Sequence, residues 1–131
     1  MNSITLPPLP QACALLFNIS SPQREKSIRI KLSSMNIVVR VVSTAEQIQT
    51  LGRLSGMPNC STSAAAHAVP FQDEMLVMSM FTRAQMDEFL QFFHDSGLPP
   101  IELKAVVTPA NASWTAVKLH RELKKEYRSI R

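Results

Sequence analysis

The sequence predicts an α/β domain: a small, mostly parallel sheet of about four strands with helices packed on it, built from two similar βαβα halves. Two observations predict this class. Short apolar runs alternate with segments whose apolar residues recur at helical spacing, and this order repeats after a stretch of small and polar residues. The 131 residues are 45% hydrophobic and 18% charged, as in ordinary globular domains. We therefore expect a single domain over 1–131, with a first half at 1–56, a flexible connector at 57–73 and a second half at 74–131.

The first half is predicted to contain a strand, a helix, a second strand and a second helix, at 12–19, 22–36, 37–42 and 44–56. The first strand is a nearly continuous apolar run closed by turn residues, which is typical of a strand buried on both faces. The second strand is a β-branched run. Ser21 before Pro22 has the residue types of an N-cap followed by the first helical position. Thr44 with Gln47 predicts a capping box for the second helix, and Gly56 is expected to end it.

The second half repeats this order, with strands at 75–81 and 101–107. Thr82 and Gln85 predict the capping box of its first helix, which Gly97 is expected to end. The last helix is expected to begin after a turn at Thr108 and Asn111. In the first strand of each half, Leu15, Phe17 and Ile19 align with Leu76, Met78 and Met80, respectively. In the second strand of each half, residues 39–42 align with residues 103–106. This alignment predicts an internal duplication.

If the sheet is parallel, the polar residues that follow its strands meet at one carboxyl edge, where α/β sheets usually bind ligands. Free amide groups at helix starts also favour anions there. The candidate ligand edge consists of Asn18, Ser20, Ser43, Ser79, Thr82, Thr108, Asn111 and Trp114. The alternative is structural: Thr108 and Asn111 cap the last helix while Trp114 packs on the core. No glycine-rich phosphate loop supports a nucleotide site.

The last helix carries a candidate basic patch at Lys118, Arg121, Lys125 and Arg128. Such cations could contact nucleic-acid phosphates. The patch is interpreted instead as a solvated face, because Tyr127 is the only aromatic residue interleaved with it for stacking on bases. Nucleic acid is therefore not the expected partner, although binding through this helix remains an alternative function.

Lys104 interrupts an apolar strand, which predicts that this strand lies at an edge of the sheet, where lysine discourages unwanted pairing. The alternative is that Lys104 contacts a ligand.

No cofactor, metal cluster or set of catalytic residues is predicted, because Cys13 and Cys60 have no metal-ligand spacing and there is no nucleophile elbow. An uncharacterised enzyme using the carboxyl edge remains an alternative. The chain has no secretory signal and no apolar run of about 18 residues, so we expect a cytoplasmic protein without a membrane partner.

Several stretches of the second half carry a resemblance to a known family. They are Met75-Leu76-Val77-Met78, Leu103-Lys104-Ala105-Val106-Val107-Thr108-Pro109-Ala110-Asn111 with Trp114, and Arg121-Glu122-Leu123-Lys124-Lys125-Glu126. The chain resembles, best over residues 75–126, a bacterial family catalogued as domain of unknown function 3783. The resemblance implies no activity, substrate or cofactor.

From the residues alone, the expected function is a non-enzymatic binding or regulatory module that recognises a small ligand or a protein at the carboxyl edge. Open sheet edges would also allow a homodimer.

Overall fold

The computed structural model of the chain describes residues 11–56 and 69–130, which form a four-stranded sheet with helices on both faces. The strands are β1 (Cys13–Phe17), β2 (Val38–Val42), β3 (Met75–Ser79) and β4 (Leu103–Val106). The helices are α1 (Pro22–Ser34), α2 (Leu51–Leu54), α3 (Arg83–Ser96) and α4 (Ala116–Ile130), with a 3₁₀ helix at Thr44–Ile48. The α/β class predicted from the sequence is confirmed.

The strand order is β2-β1-β3-β4, and the two halves meet at the centre of the sheet. β1 pairs with β2 and β3 pairs with β4 in parallel, whereas β1 and β3 are antiparallel, with Leu15 opposite Val77. The mostly parallel sheet is thus confirmed. The expectation that every strand ends at one edge is wrong, because the antiparallel pairing turns the second half around. The carboxyl ends of β1 and β2 therefore share an edge with the amino ends of β3 and β4.

Two apolar cores cover the two faces of the sheet. The first core lies under α2 and α4 and includes Leu15, Phe17 and Val77. The second core lies under α1 and α3 and includes Leu16 and Phe89. All five residues of β1 and all five of β3 are buried, because a central strand is covered on both faces by helices.

The predicted starts of two helices are confirmed. Ser21 caps α1, its hydroxyl accepting a hydrogen bond from the Arg24 amide. Thr82 and Gln85 form a reciprocal capping box at α3. Gly97, at φ +73°, ends α3 in the left-handed conformation that glycine adopts without steric cost.

The single helix expected over 44–56 is wrong: the chain forms a 3₁₀ helix and then the one-turn α2. Gln49 between them is extended, and its carbonyl accepts from the amide of Ala116. The capping pair is also wrong, since Ser43 pairs with Glu46 instead. Gln47 is fully buried and hydrogen-bonds the backbone of Phe71, so tertiary contacts decide this segment.

The predicted internal alignment is wrong by one residue in both strands of each half. In the second strand, the predicted alignment matches Val39 with Leu103, but Val39 packs against the second core and Leu103 lies in the first. Leu15 and Val77 face each other at the centre of the antiparallel pair, so the two residues occupy equivalent positions, and Leu76 does not match Leu15. A shift of one residue places a side chain on the opposite face of a strand. Leu15 and Val77 indeed share the first core, while Leu76 lies in the second.

Two further predictions concern the strand edges and the connector. β4 is an edge strand, as the position of Lys104 predicted. Within the connector predicted at 57–73, residues 57–68 lie outside the described part of the chain. Phe71 is buried, so the connector's end is packed against the domain.

Candidate functional site

A polar cleft of about 630 Å³ lies where β1 ends and where β3 and β4 begin. The antiparallel pairing of β1 and β3 brings these three strand ends together. Segments distant in the sequence supply the polar lining: Asn18, Ser20, Arg24, Asp73, Glu74, Glu102, Lys124 and Tyr127.

A partly buried ion pair joins three of these segments. The Arg24 side chain is 8% exposed, and its Nη1 contacts the two carboxylate oxygens of Glu74 at 2.7 and 2.6 Å. Arg24 Nε donates to the Pro99 carbonyl at 3.0 Å, which ties α1 to the segment before β4. Glu74 also accepts from the amide and hydroxyl of Ser20, each at 2.9 Å. Burial alone would raise the pKa of Glu74, but its hydrogen bonds from Arg24 and Ser20 outweigh burial and lower it.

A second polar cluster connects α4 to the segment before β3. His120 Nε2 lies 2.8 Å from Asp73 Oδ2, and Lys124 Nζ lies 3.6 Å from the same oxygen. The His120 ring stacks on Phe71 with a centroid distance of 4.2 Å. The hydrogen bond from His120 lowers the pKa of Asp73 against the opposing effect of burial, and Lys124 adds to the lowering.

Asn18 and Tyr127 complete the lining. Asn18 has a left-handed backbone (φ +57°), a conformation that asparagine tolerates better than most residues. Its Nδ2 donates to the carbonyls of Phe71 and Asp73, which joins the end of β1 to the lead-in of β3. The Tyr127 hydroxyl donates to Glu102 at 2.7 Å.

The cleft thus presents three carboxylates, a guanidinium and an ammonium group. The Glu74 carboxylate already accepts from the Ser20 amide just before α1, so the usual position for an anion at a helix start is occupied. The described residues contain no group of three His, Cys, Asp or Glu side chains arranged to hold a metal ion. The arrangement suits a small polar ligand that carries donors and acceptors.

The antiparallel centre divides the candidate ligand edge predicted from the sequence. Only Asn18 and Ser20 line the cleft. Ser43 follows β2 at the same edge of the sheet, but its hydroxyl contacts Glu46. The other candidates follow β3 and β4 at the opposite edge: Ser79, Thr82, Thr108, Asn111 and Trp114.

At that opposite edge, the described polar contacts are internal. The Thr108 amide donates to Asn111 Oδ1 at 2.8 Å, and the Asn111 amide donates to Thr108 Oγ1 at 3.2 Å. Asn111 Nδ2 donates to the Val106 carbonyl. Trp114 packs against the first core. The packing of Trp114 is as the structural alternative predicted, but the predicted cap is wrong. Thr108 and Asn111 bond within a turn that ends before α4, and Thr115 Oγ1 accepts from the Lys118 amide at the start of that helix. Ser79 is buried, and its hydroxyl has no hydrogen-bond partner among the described residues.

The candidate basic patch lies on the outer face of α4, and all four of its residues are exposed. The Lys118 ammonium lies 4.6 Å from the centroid of the Trp114 ring. Lys125 pairs with Glu122 at 3.2 Å.

Sequence reasoning missed the other six polar lining residues: Arg24, Asp73, Glu74, Glu102, Lys124 and Tyr127. Arg24 lies on the side of α1 that carries Ile28 and Leu32, a position from which a buried charge could have been suspected. Its partner could not be identified, because Glu74 reaches it only through the antiparallel pairing of the two halves.

The described residues thus form an α/β domain with a polar cleft at one edge of its sheet. Residues 74–130 match the model of a family described as Domain of unknown function (DUF3783), which confirms the resemblance seen in the sequence. The match contains Glu74, Glu102, Lys124 and Tyr127 of the cleft, whereas Asn18, Ser20, Arg24 and Asp73 lie before it. No curated protein and no solved structure matches the chain. None of the helices in the described residues is long and apolar enough to cross a bilayer.

Proposed function

We propose that this chain is a non-enzymatic binding module whose cleft at the carboxyl end of β1 takes a small polar ligand. The observation that carries the proposal is the cleft itself, about 630 Å³ with charged groups held from α1, α4 and the lead-in of β3. Its volume falls in the range of roughly 300–1,000 Å³ that is usual for small-molecule sites.

The lining favours a neutral or zwitterionic ligand. Asp73, Glu74 and Glu102 would repel a polyanion, while Arg24 and Lys124 offer donors to a single acidic or carbonyl group. A ligand amine or hydroxyl would lie among the three carboxylates. Because protein groups already hold the Arg24 and Glu74 side chains in place, binding would require little reordering of them.

The test is native mass spectrometry of the protein purified gently from its own host, followed by ligand titration of two neighbouring variants. We expect an added mass of a few hundred daltons, which Lys124→Ala and Tyr127→Phe lose. Lys125→Ala is the matched control, because Lys125 lies one residue along α4, is exposed and does not line the cleft. A retained mass that survives the two cleft variants, or a wild-type protein that no small polar compound shifts in thermal unfolding, would refute the proposal.

We also propose that the two halves arose by internal duplication, which the backbone supports. Each half has one left-handed residue directly after its first strand, Asn18 and Met80, and another after its first helix, Asn36 and Gly97. Each half begins with a strand, a helix and a second strand in the same order. We further propose that the protein works in the bacterial cytoplasm, with Cys13 as a buried free thiol. The outer edges of β2 and β4, which pair with no further strand among the described residues, would be available for a homodimer.

A further inference from the structure

A row of four exposed cations runs along α4 on the side facing away from the sheet. The row, which we call the basic ridge, consists of Lys118, Arg121, Lys125 and Arg128. At 3.6 residues per turn these four residues fall within an arc of about 80°, and they span about 15 Å along the axis. The residues that α4 buries, such as Ala116 and Leu119, lie on the opposite side of the helix.

Much of the chain's net charge is concentrated on this helix. α4 carries five Lys/Arg residues and two Glu, a net charge of +3, while the whole chain carries +4. Within the described residues no ion pair involves Arg121 or Arg128. Lys118 Nζ lies over the Trp114 ring rather than beside a carboxylate. The positive potential of the ridge is therefore only partly neutralised within the described protein, chiefly by Glu122 beside Lys125.

We infer that the basic ridge binds the phosphate backbone of double-stranded nucleic acid, without sequence preference. Lys and Arg side chains supply most contacts to phosphates, and a straight row of cations complements a linear polyanion. Arg53 on α2 is another exposed cation on the same side of the sheet. The inference does not depend on the cleft, because no residue of the ridge lines it.

The surroundings of the ridge favour a duplex over other polyanions. The apolar side of α4 is buried against the sheet, and the exposed side chains described over 116–129 are Lys, Arg, Glu and Ser, so this part of the helix has no apolar face to enter a bilayer. A protein interface normally has an apolar or aromatic centre, which this face lacks. Single strands are bound by stacking on aromatic rings, and the nearby Trp114 ring is half-buried and already carries Lys118.

The experiment measures binding of the full-length chain to a fluorescent 20-base-pair DNA duplex of random sequence by anisotropy. With about four phosphate contacts, raising the salt from 50 to 200 mM should lower the affinity on the order of 100-fold. Arg121→Glu with Arg128→Glu should lower the affinity at least about tenfold and flatten the salt dependence. Lys26→Glu with Arg83→Glu is the matched control: it changes the net charge equally, at exposed residues of α1 and α3 on the other side of the sheet.

Circular dichroism shows whether each double variant is folded. Selective loss in the α4 variant, with the control close to wild type, would support the inference. Equal loss in both variants would show an effect of net charge alone and overturn it, as would absent or salt-independent binding. Equal or tighter binding to the matching single strand, to polyglutamate or to anionic vesicles would overturn it in favour of that partner.

Discussion

At the residue scale, the Arg24–Glu74 pair explains how a charged side chain can lie on the buried side of a helix. An uncompensated charge there would strongly oppose folding. Arg24 is satisfied by Glu74 and by the Pro99 carbonyl, which lie 50 and 75 residues further along the chain. The pair therefore helps to hold together the segments that surround the cleft.

We predict that Glu74→Gln lowers the free energy of unfolding by about 2–3 kcal/mol at pH 7, because it leaves the Arg24 charge buried without its carboxylate. The pKa of Glu74 is lowered in the folded state. Its stabilising contribution is therefore complete well above the unfolded value of about 4.3 and is lost as the pH falls through the lower, folded value. Urea unfolding of the wild type and of Glu74→Gln from pH 7 to 3 should show that the difference in their free energies of unfolding shrinks only at the acidic end.

Glu102→Gln is the control, since Glu102 is exposed and accepts from Tyr127. A pH-independent difference would contradict the assigned ionic role.

At the element scale, the parts that the sequence predicted are those controlled by local chemistry. The cap at Ser21, the capping box at Thr82 and the stop at Gly97 depend on neighbouring residues, and all three are confirmed. The segment after β2 depends on distant contacts instead, such as the bond from the Leu51 amide to the Trp114 carbonyl. Local patterns carry no information about such contacts. For the same reason, the sequence identified two polar residues of the cleft but not the cleft itself.

The turn between β4 and α4 provides a prediction about an element. Asn111→Ala should lower the free energy of unfolding by about 1–2 kcal/mol, because it removes the side-chain bonds to Thr108 and Val106. Affinity for a ligand of the cleft should not change, since the turn lies at the opposite edge of the sheet. Ser113→Ala, at an exposed position of the same turn, is the control and should be nearly neutral. A folded Asn111→Ala variant that loses ligand would instead restore the predicted edge as the binding site. Thermal unfolding and calorimetry on both variants distinguish these outcomes.

At the scale of the whole molecule, each core is shared by the two halves. The first core combines Leu15 and Leu51 from the first half with Val77 and Leu119 from the second. β1 and β3 are buried at every position and pair with each other across the boundary between the halves. The family match nevertheless covers the second half alone, so the match contains only half of each core.

This division leads to a prediction about the isolated second half, residues 69–131. Without β1, the backbone groups of β3 that pair with it, and the apolar side chains of β3 that pack beside it, would be exposed at a sheet edge, which favours association with another strand. The pairing of β1 with β3 is centred on Leu15 and Val77, so a second copy of β3 can take the place of β1 with Val77 opposite Val77. We therefore expect the fragment to be a dimer whose helical circular dichroism falls on dilution, as measured by analytical ultracentrifugation and dilution series. Val77→Lys should leave it monomeric and unfolded, because a lysine at the centre of the shared core has no partner there. A folded wild-type monomer would show that the second half does not need β1, and that the antiparallel centre joins two independently stable units.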